Sequence, residues 1–130
     1  MNRSSSSWPL ACALAAAWVA ACAPARAAPP PAPVKVGLML PFSGTYASLG
    51  TAIENGFNLY LKQQGGRLAG RTIEIDRLDD ESDPAKAVAN VGRLIDRDHV
   101  DVLVGTVHSG VAMAMAKAAR ESGTLMIVPN

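Results

Sequence analysis

The sequence is poor in cysteine. Its two cysteines, Cys12 and Cys22, both lie within the first 22 residues. The rest of the chain can therefore form no internal disulfide, even in an oxidising compartment. Its fold has to be stabilised by a hydrophobic core.

The sequence also lacks an excess of charge of either sign. It contains twelve Lys and Arg residues and eleven Asp and Glu residues, and two of the basic residues, Arg3 and Arg26, belong to a distinct N-terminal segment. Without that segment the ten remaining basic side chains and the eleven acidic ones leave a net charge close to −1. Nucleic-acid binding is not expected, because it requires a basic surface patch.

A hydrophobic run long enough to cross a bilayer is missing too. The apolar stretch of residues 10–23 is shorter than the roughly 18 to 20 residues that span a membrane. It follows a polar start and precedes an A-x-A site at residues 25–27, so residues 1–27 are predicted to be a secretory signal peptide. The sequence VAAC at residues 19–22 resembles a bacterial lipobox, which would instead leave a lipid anchor on Cys22. Both interpretations place the domain outside the cytoplasmic membrane, in the periplasm.

The segment that follows, residues 28–33, contains only alanine and proline, and an extended linker is expected. Hydrophobic periodicity then predicts four strands and three helices in the order βαβαβαβ. A buried strand stops before Pro41, Asp83 and Pro84 begin the second helix, and Gly123 ends the third. The predicted strands are residues 34–40, 72–78, 100–105 and 124–128, and the helices lie around residues 49–61, 84–95 and 109–122.

This alternation predicts an α/β fold built on a doubly wound parallel sheet. The second strand alternates between apolar and acidic residues, as an edge strand does, so the expected strand order is 2-1-3-4. Connections then leave the first strand in opposite directions, and ligands bind such sheets at the crevice beyond the carboxyl ends of strands one and three. The loops 41–49 and 106–110 and the segment beginning at Pro129 meet there.

Ser109 is the first candidate for a binding residue at this crevice. It is expected to cap the third helix, so that its hydroxyl and the amides of Gly110 and Val111 face the crevice. A helix N-terminus with free amides holds a carboxylate well. A plain cap is equally compatible with the spacing, and the position of the helix at the crevice favours ligand binding.

Tyr46 and His108 are two further candidates, and the sequence supports either a ligand-binding or a purely structural role for each. The loop 43–46 is rich in small residues that let backbone approach a ligand, and Tyr46 offers a stacking face, although its composition alone favours a simple turn. His108 could donate to an acidic ligand, but a histidine at a strand end is more often partly buried and already hydrogen-bonded.

No catalytic, cofactor or metal site is predicted. The acidic segment 79–83 resembles a metal cluster in composition, but its last member caps a helix and the glycine and terminal glutamate of an EF-hand are missing. Neither glycine pattern of a nucleotide-binding loop follows the first strand. Ser109 lies on a strand-turn-helix corner like the serine of a hydrolase G-x-S-x-G elbow, yet Val107 replaces the first glycine and no downstream acid and histidine complete a triad.

A series of short motifs in a fixed order resembles the first lobe of leucine/isoleucine/valine-type binding proteins, the type I periplasmic solute-binding components of ABC importers. The motifs are PFSG at 41–44, NG at 55–56, GG at 65–66, LAGR at 68–71, DD at 79–80, DP at 83–84 and VG at 104–105. This resemblance implies a binding component that captures an amino acid or a related small carboxylate and delivers it to ABC transporter permease subunits. A ligand-sensing domain of the same fold is the alternative.

The resemblance also implies roles for particular residues. The serine and backbone of the third-strand loop hold the ligand's carboxylate in that family, and they correspond here to Val107, His108 and Ser109. In that family the position after the fourth-strand proline contributes backbone to the ligand's ammonium group, and the resemblance implies this role for Asn130.

Departures from the pattern concern the ligand. Leu49 stands where the branched-chain binders have an aromatic lining residue, and Ser82 and His108 stand where they have a cysteine pair. The segment TVHSG at 106–110 resembles a branch of the family associated with aromatic acids. Because the chain stops at Asn130, we expect residues 34–130 to be the N-terminal part of a longer binding domain, with the fourth strand left as an open apolar edge.

Overall fold

The computed structural model of this protein describes residues 29–129. The predicted signal peptide with Cys22, the first residue of the linker and Asn130 lie outside the described residues. The described chain contains strands β1 (Val34–Leu40), β2 (Arg67–Leu68), β3 (Arg71–Asp79), β4 (Val102–Val104) and β5 (Leu125–Ile127), and helices α1 (Ala47–Gln63), α2 (Pro84–Gly92) and α3 (Ser109–Ser122). A π-helical turn, Arg93–Arg97, continues α2.

The strands form one sheet in the order β2-β3-β1-β4-β5. β1 pairs in parallel with β3 and β4, and β4 pairs in parallel with β5, which confirms the predicted order of the four longer segments. The prediction that the segment 72–78 forms the edge was wrong, because β2 folds back antiparallel against β3. The reversal takes place at Ala69 and Gly70, both of which have positive φ angles as in a two-residue hairpin turn.

Strands β1 and β4 are buried on both faces of the sheet. One cluster lies between the sheet and the pair α2 and α3, and it includes Met39 and Leu103 of the sheet. The other lies under α1 and includes Leu38 and Leu40. Because successive side chains of a strand point to opposite faces, this arrangement explains why β1 reads as a nearly continuous apolar run.

The structure contains the local features from which the start of α2 and the end of α3 were predicted. The Asp83 carboxylate accepts a hydrogen bond from the Ala85 amide at 2.8 Å, with Pro84 at the first helical position. Gly123 ends α3 in the left-handed conformation, at φ 73°. Both boundaries are confirmed.

The sheet ends at β5, whose outward-facing side chains are apolar. Leu125 is 61% exposed and Ile127 is 50% exposed, while Met126 on the other face packs against the α2 and α3 cluster. Within residues 29–129, every helix is too short or too polar to cross a membrane.

Candidate ligand-binding site

The loops that follow β1, β3 and β4 meet at the carboxyl edge of the sheet. β1 lies between the other two strands, so its loop faces both neighbours. The end of β4 approaches β1 closely at Gly105, where an added Cβ would lie 1.9 Å from the Met39 carbonyl oxygen. Glycine at this position therefore lets the β4 loop start directly beside β1.

His108, and not Ser109, caps α3. His108 has extended backbone angles, and its Nδ1 accepts a hydrogen bond from the Val111 amide at 3.4 Å, which is a long bond. Ser109 is the first residue of the helix, and its side chain is exposed. The expectation that Ser109 forms the cap was wrong, because the imidazole nitrogen of the preceding residue binds the amide of Val111 in the first turn of α3.

This cap changes which groups can hold an anion. The Val111 amide is occupied by His108, so it does not serve the crevice as expected. The amides of Ser109 and Gly110 remain, since the first residues of a helix have no intrahelical acceptor. Together with the Ser109 hydroxyl they form a small group of donors at the positive end of the α3 dipole.

The His108 ring lies over Gly110 and faces Tyr46. An added Cβ at Gly110 would be 3.0 Å from the His108 Cε1 and 3.4 Å from Pro84 Cγ, so the ring fits because residue 110 has no side chain. The rings of His108 and Tyr46 are tilted by 49° with centroids 6.3 Å apart. Because Nδ1 accepts from Val111, the proton of the neutral imidazole resides on Nε2, which is available as a donor.

The structure thus brings together most of the predicted residues. Tyr46 is 37% exposed beside His108, and Leu49 lies three residues later in the first turn of α1, half exposed. Val107 is partly buried between β4 and the cap residue. Asn130 lies outside the described residues, so its predicted role stays a prediction.

Sequence reasoning missed the part that two acidic residues play at this edge. The Asp79 carboxylate accepts hydrogen bonds from the amides of Phe42 and Glu81, each at 2.9 Å. Burial raises the pKa of Asp79, but the hydrogen bonds from Phe42, Glu81 and Ser43 together lower it by more. The pKa of Asp79 therefore lies below its ordinary value. Asp80 is fully buried and accepts hydrogen bonds from the Thr106 hydroxyl and the Ser82 amide.

The hydrogen bonding of Ser109 bears on the hydrolase alternative. In residues 29–129 no imidazole or carboxylate is hydrogen-bonded to its hydroxyl, so the nucleophile and base pair of a hydrolase is not formed there. The same residues contain no group of three His, Cys, Asp or Glu side chains suited to a metal ion. The Ser82 hydroxyl is buried and makes no hydrogen bond within this part of the chain.

A separate groove of about 330 Å³ lies between α2 and α3, lined by residues of both helices and of the π-helical turn. It includes none of the predicted site residues. The crevice at the carboxyl edge remains the candidate site, because that is where the donors and the facing rings meet.

Comparison with known proteins gives the family context. A family profile described as periplasmic binding protein matches residues 33–130. The Leu/Ile/Val-binding protein BraC3 of Rhizobium johnstonii is 30% identical over 101 residues, which are 76% of this chain and 27% of the relative. The chain therefore spans about a quarter of the length of the curated relatives it matches.

The chain is also similar to solved structures of ABC-transporter solute-binding proteins. A solute-binding protein of an ABC transporter from R. palustris, in complex with benzoate, is 58% identical with a TM-score of 0.73, over 75% of this chain and 27% of that one. A solute-binding protein from Rhodopseudomonas palustris BisB5, in complex with 3,4-dihydroxybenzoic acid, is 36% identical with a TM-score of 0.70, over 73% and 26% of the two chains.

Proposed function

The chain belongs to the periplasmic binding protein family, and we propose that it supplies the first-lobe half of a crevice that captures a benzoate-like aromatic carboxylate for an ABC importer. The single observation that carries this proposal is the group of donors at the start of α3. The Ser109 hydroxyl and the amides of Ser109 and Gly110 lie at the N-terminus of α3, where the helix dipole favours a negative charge.

The aromatic part of the proposal rests on the facing rings. Tyr46 and His108 are separated by 6.3 Å between centroids at the mouth of the crevice, and Leu49 adds an apolar side chain in the first turn of α1. Aromatic pairs interact at centroid distances of about 4.5 to 7 Å, so a third ring at this mouth is in reach of both. The benzoate-bound relative from R. palustris, at 58% identity, supports the same ligand class.

An amino acid is the less favoured ligand, because its ammonium group needs an acceptor. Asp79 and Asp80, whose carboxylates bind the crevice loops, already accept hydrogen bonds from a backbone amide and a hydroxyl of the protein itself. The first-lobe side of the crevice, as far as residues 29–129 form it, therefore offers mainly donors and apolar surface.

The signal peptide predicted for residues 1–27 supports a periplasmic location, with a lipid anchor on Cys22 as the alternative. The partner in this proposal is the permease of an ABC importer, which receives the ligand from the binding protein. Binding and release involve no chemical change in the ligand, so no catalytic residue is assigned.

Calorimetric titration of the complete gene product with benzoate and with L-isoleucine tests the ligand class. Benzoate is expected to bind at least about tenfold more tightly, a difference of about 1.4 kcal/mol. Tighter binding of isoleucine would overturn the aromatic class while leaving carboxylate capture intact. Failure of both ligands to bind would overturn carboxylate capture itself.

A further inference from the structure

Two consecutive carboxylates, at the last residue of β3 and the residue after it, accept hydrogen bonds from the two different loops that form the crevice. Asp79 Oδ1 accepts the Phe42 amide in the loop after β1, at 2.9 Å. Asp80 Oδ2 accepts the hydroxyl of Thr106 in the loop after β4. Successive side chains of a strand point to opposite sides, which lets neighbouring residues serve two different loops.

Further hydrogen bonds and burial fix the position of Asp80. The Asp80 amide continues the strand ladder by donating to the Leu40 carbonyl at 3.2 Å, and its Oδ1 accepts the Ser82 amide at 2.7 Å. Asp80 is 0% exposed and Thr106 is 1% exposed. Removing either partner would leave the other buried without its hydrogen bond, which is costly, so the bond is maintained in the folded protein.

The Asp79 contact fixes the other loop in a similar way. Besides the Phe42 amide, Asp79 Oδ1 accepts the amide of Glu81 at 2.9 Å. The Asp79 carbonyl in turn accepts the side-chain amide of Asn90 from α2 at 2.9 Å. The end of β3 is therefore hydrogen-bonded to β1 and to α2 as well as to the crevice loops.

Both anchors lie close in sequence to the facing rings. Thr106 precedes His108 by two residues, and Phe42 precedes Tyr46 by four. We propose that Asp79 and Asp80 are positioning residues, which set the spacing of Tyr46 and His108 and with it the ligand affinity of the crevice. This inference rests on the proposed function for its effect on affinity, but the positioning itself is a property of the ligand-free protein.

The variants that test the proposal act on Thr106, since it touches only the Asp80 side of the pair. Thr106→Val removes the hydroxyl and keeps the shape, whereas Thr106→Ser keeps the hydroxyl. Asp101→Asn is the control, because the Asp101 carboxylate also accepts a hydrogen bond from a backbone amide, that of Lys35 in β1 at 2.9 Å, but at the opposite edge of the sheet.

Benzoate titration of the complete gene product is carried out at a temperature at which every variant is fully folded. Thr106→Val is expected to weaken binding by about tenfold. Thr106→Ser should stay within about twofold, as should Asp101→Asn, whatever its effect on stability. Asp80→Asn combined with Thr106→Val should cost little more than Thr106→Val alone, because both changes break the same contact.

A second measurement needs no ligand. With histidine and tyrosine ring labels, the nuclear Overhauser contact between Tyr46 and His108 should be strong in the wild type and Thr106→Ser, and weak in Thr106→Val. Unchanged ring contact and unchanged affinity in Thr106→Val, or an equal loss of affinity in Asp101→Asn, would overturn the positioning role. Lost ring contact in a protein whose wild type binds no benzoate would support the positioning role and refute the proposed function instead.

Discussion

The carbonyl oxygen of Pro41 occupies the place that a side chain at Gly50 would need. A Cβ added to Gly50 would lie 1.8 Å from that oxygen, because the first turns of α1 rest directly on the end of β1. Gly50→Ala therefore has to push the helix and the strand end apart, and we expect it to lower the free energy of unfolding by about 2 kcal/mol or more. Urea unfolding of the complete gene product measures the change.

Gly56 in the same helix is the matched control. An added Cβ there meets nothing within 4 Å. Gly56→Ala should raise the free energy of unfolding by about 0.5 to 1 kcal/mol, because alanine favours a helix interior over glycine. Equal stabilities for Gly50→Ala and Gly56→Ala would contradict the close approach at Pro41.

A second prediction concerns Arg77, which lies over the ring of Phe42 with its guanidinium carbon 3.3 Å from the centroid. Its Nε also donates to Glu54 Oε1 at 2.8 Å, joining β3 to α1. Arg77→Lys keeps the charge but loses the planar stack, so it should lower the free energy of unfolding by about 0.5 to 1 kcal/mol. In a Phe42→Leu background the same change should cost clearly less.

The exposed pair Lys117 and Glu121 provides the comparison, at 4.0 Å on the surface of α3. Breaking it with Lys117→Met should change the free energy of unfolding by only a few tenths of a kcal/mol. A cost for Arg77→Lys that is no larger than this would mean that the stack contributes nothing beyond an ordinary surface charge.

The third prediction is a pH dependence that arises from Asp79. Burial raises its pKa, while hydrogen bonds from Phe42, Glu81 and Ser43 lower it, and the net result is a pKa below the ordinary 3.8. A depressed carboxyl pKa stabilises the fold above pH 3.8, and that stabilisation is lost as the pH falls through the lower folded-state pKa. The wild type should exceed Asp79→Asn in free energy of unfolding at neutral pH, and the difference should shrink below pH 3.8. A difference that grows on acidification would show that the sign is wrong.

Much of the fold could be predicted from the sequence because its signals are local. The apolar run Val34–Leu40 gives a strand buried on both faces, and β1 is that strand. Asp83 supplies the side-chain acceptor of a helix cap, and Pro84 suits the first helical position because an amide there would have no partner within the helix. Gly123 adopts the left-handed conformation that ends α3.

The parts that could not be predicted depend on contacts made in three dimensions. The β2 hairpin turns at Ala69 and Gly70, which lack the asparagine or aspartate that marks such a turn in a sequence. At the candidate site, His108 and Ser109 are adjacent and both carry acceptors, so only the geometry of the corner decides which of them caps α3. The roles of Asp79 and Asp80 become apparent only when the loops after β1 and β4 lie beside them.

The last prediction separates ligand binding from helix capping, which the structure assigns to different residues. His108 supplies the cap of α3 through its Nδ1, and the exposed Ser109 hydroxyl makes no hydrogen bond within residues 29–129. Ser109→Ala should therefore leave the free energy of unfolding within about 0.5 kcal/mol of the wild type. It should nevertheless weaken benzoate binding by about tenfold to a hundredfold, because a hydrogen bond to a charged carboxylate is lost.

His108→Ala is the counterpart, because it removes the cap as well as the ring that faces Tyr46. It should lower both the affinity for benzoate and the free energy of unfolding, the latter by about 0.5 to 1 kcal/mol. Paired calorimetric titrations and urea unfolding of the two variants distinguish the roles. If Ser109→Ala loses stability and keeps its affinity, Ser109 acts on the helix and the carboxylate of the ligand is bound elsewhere.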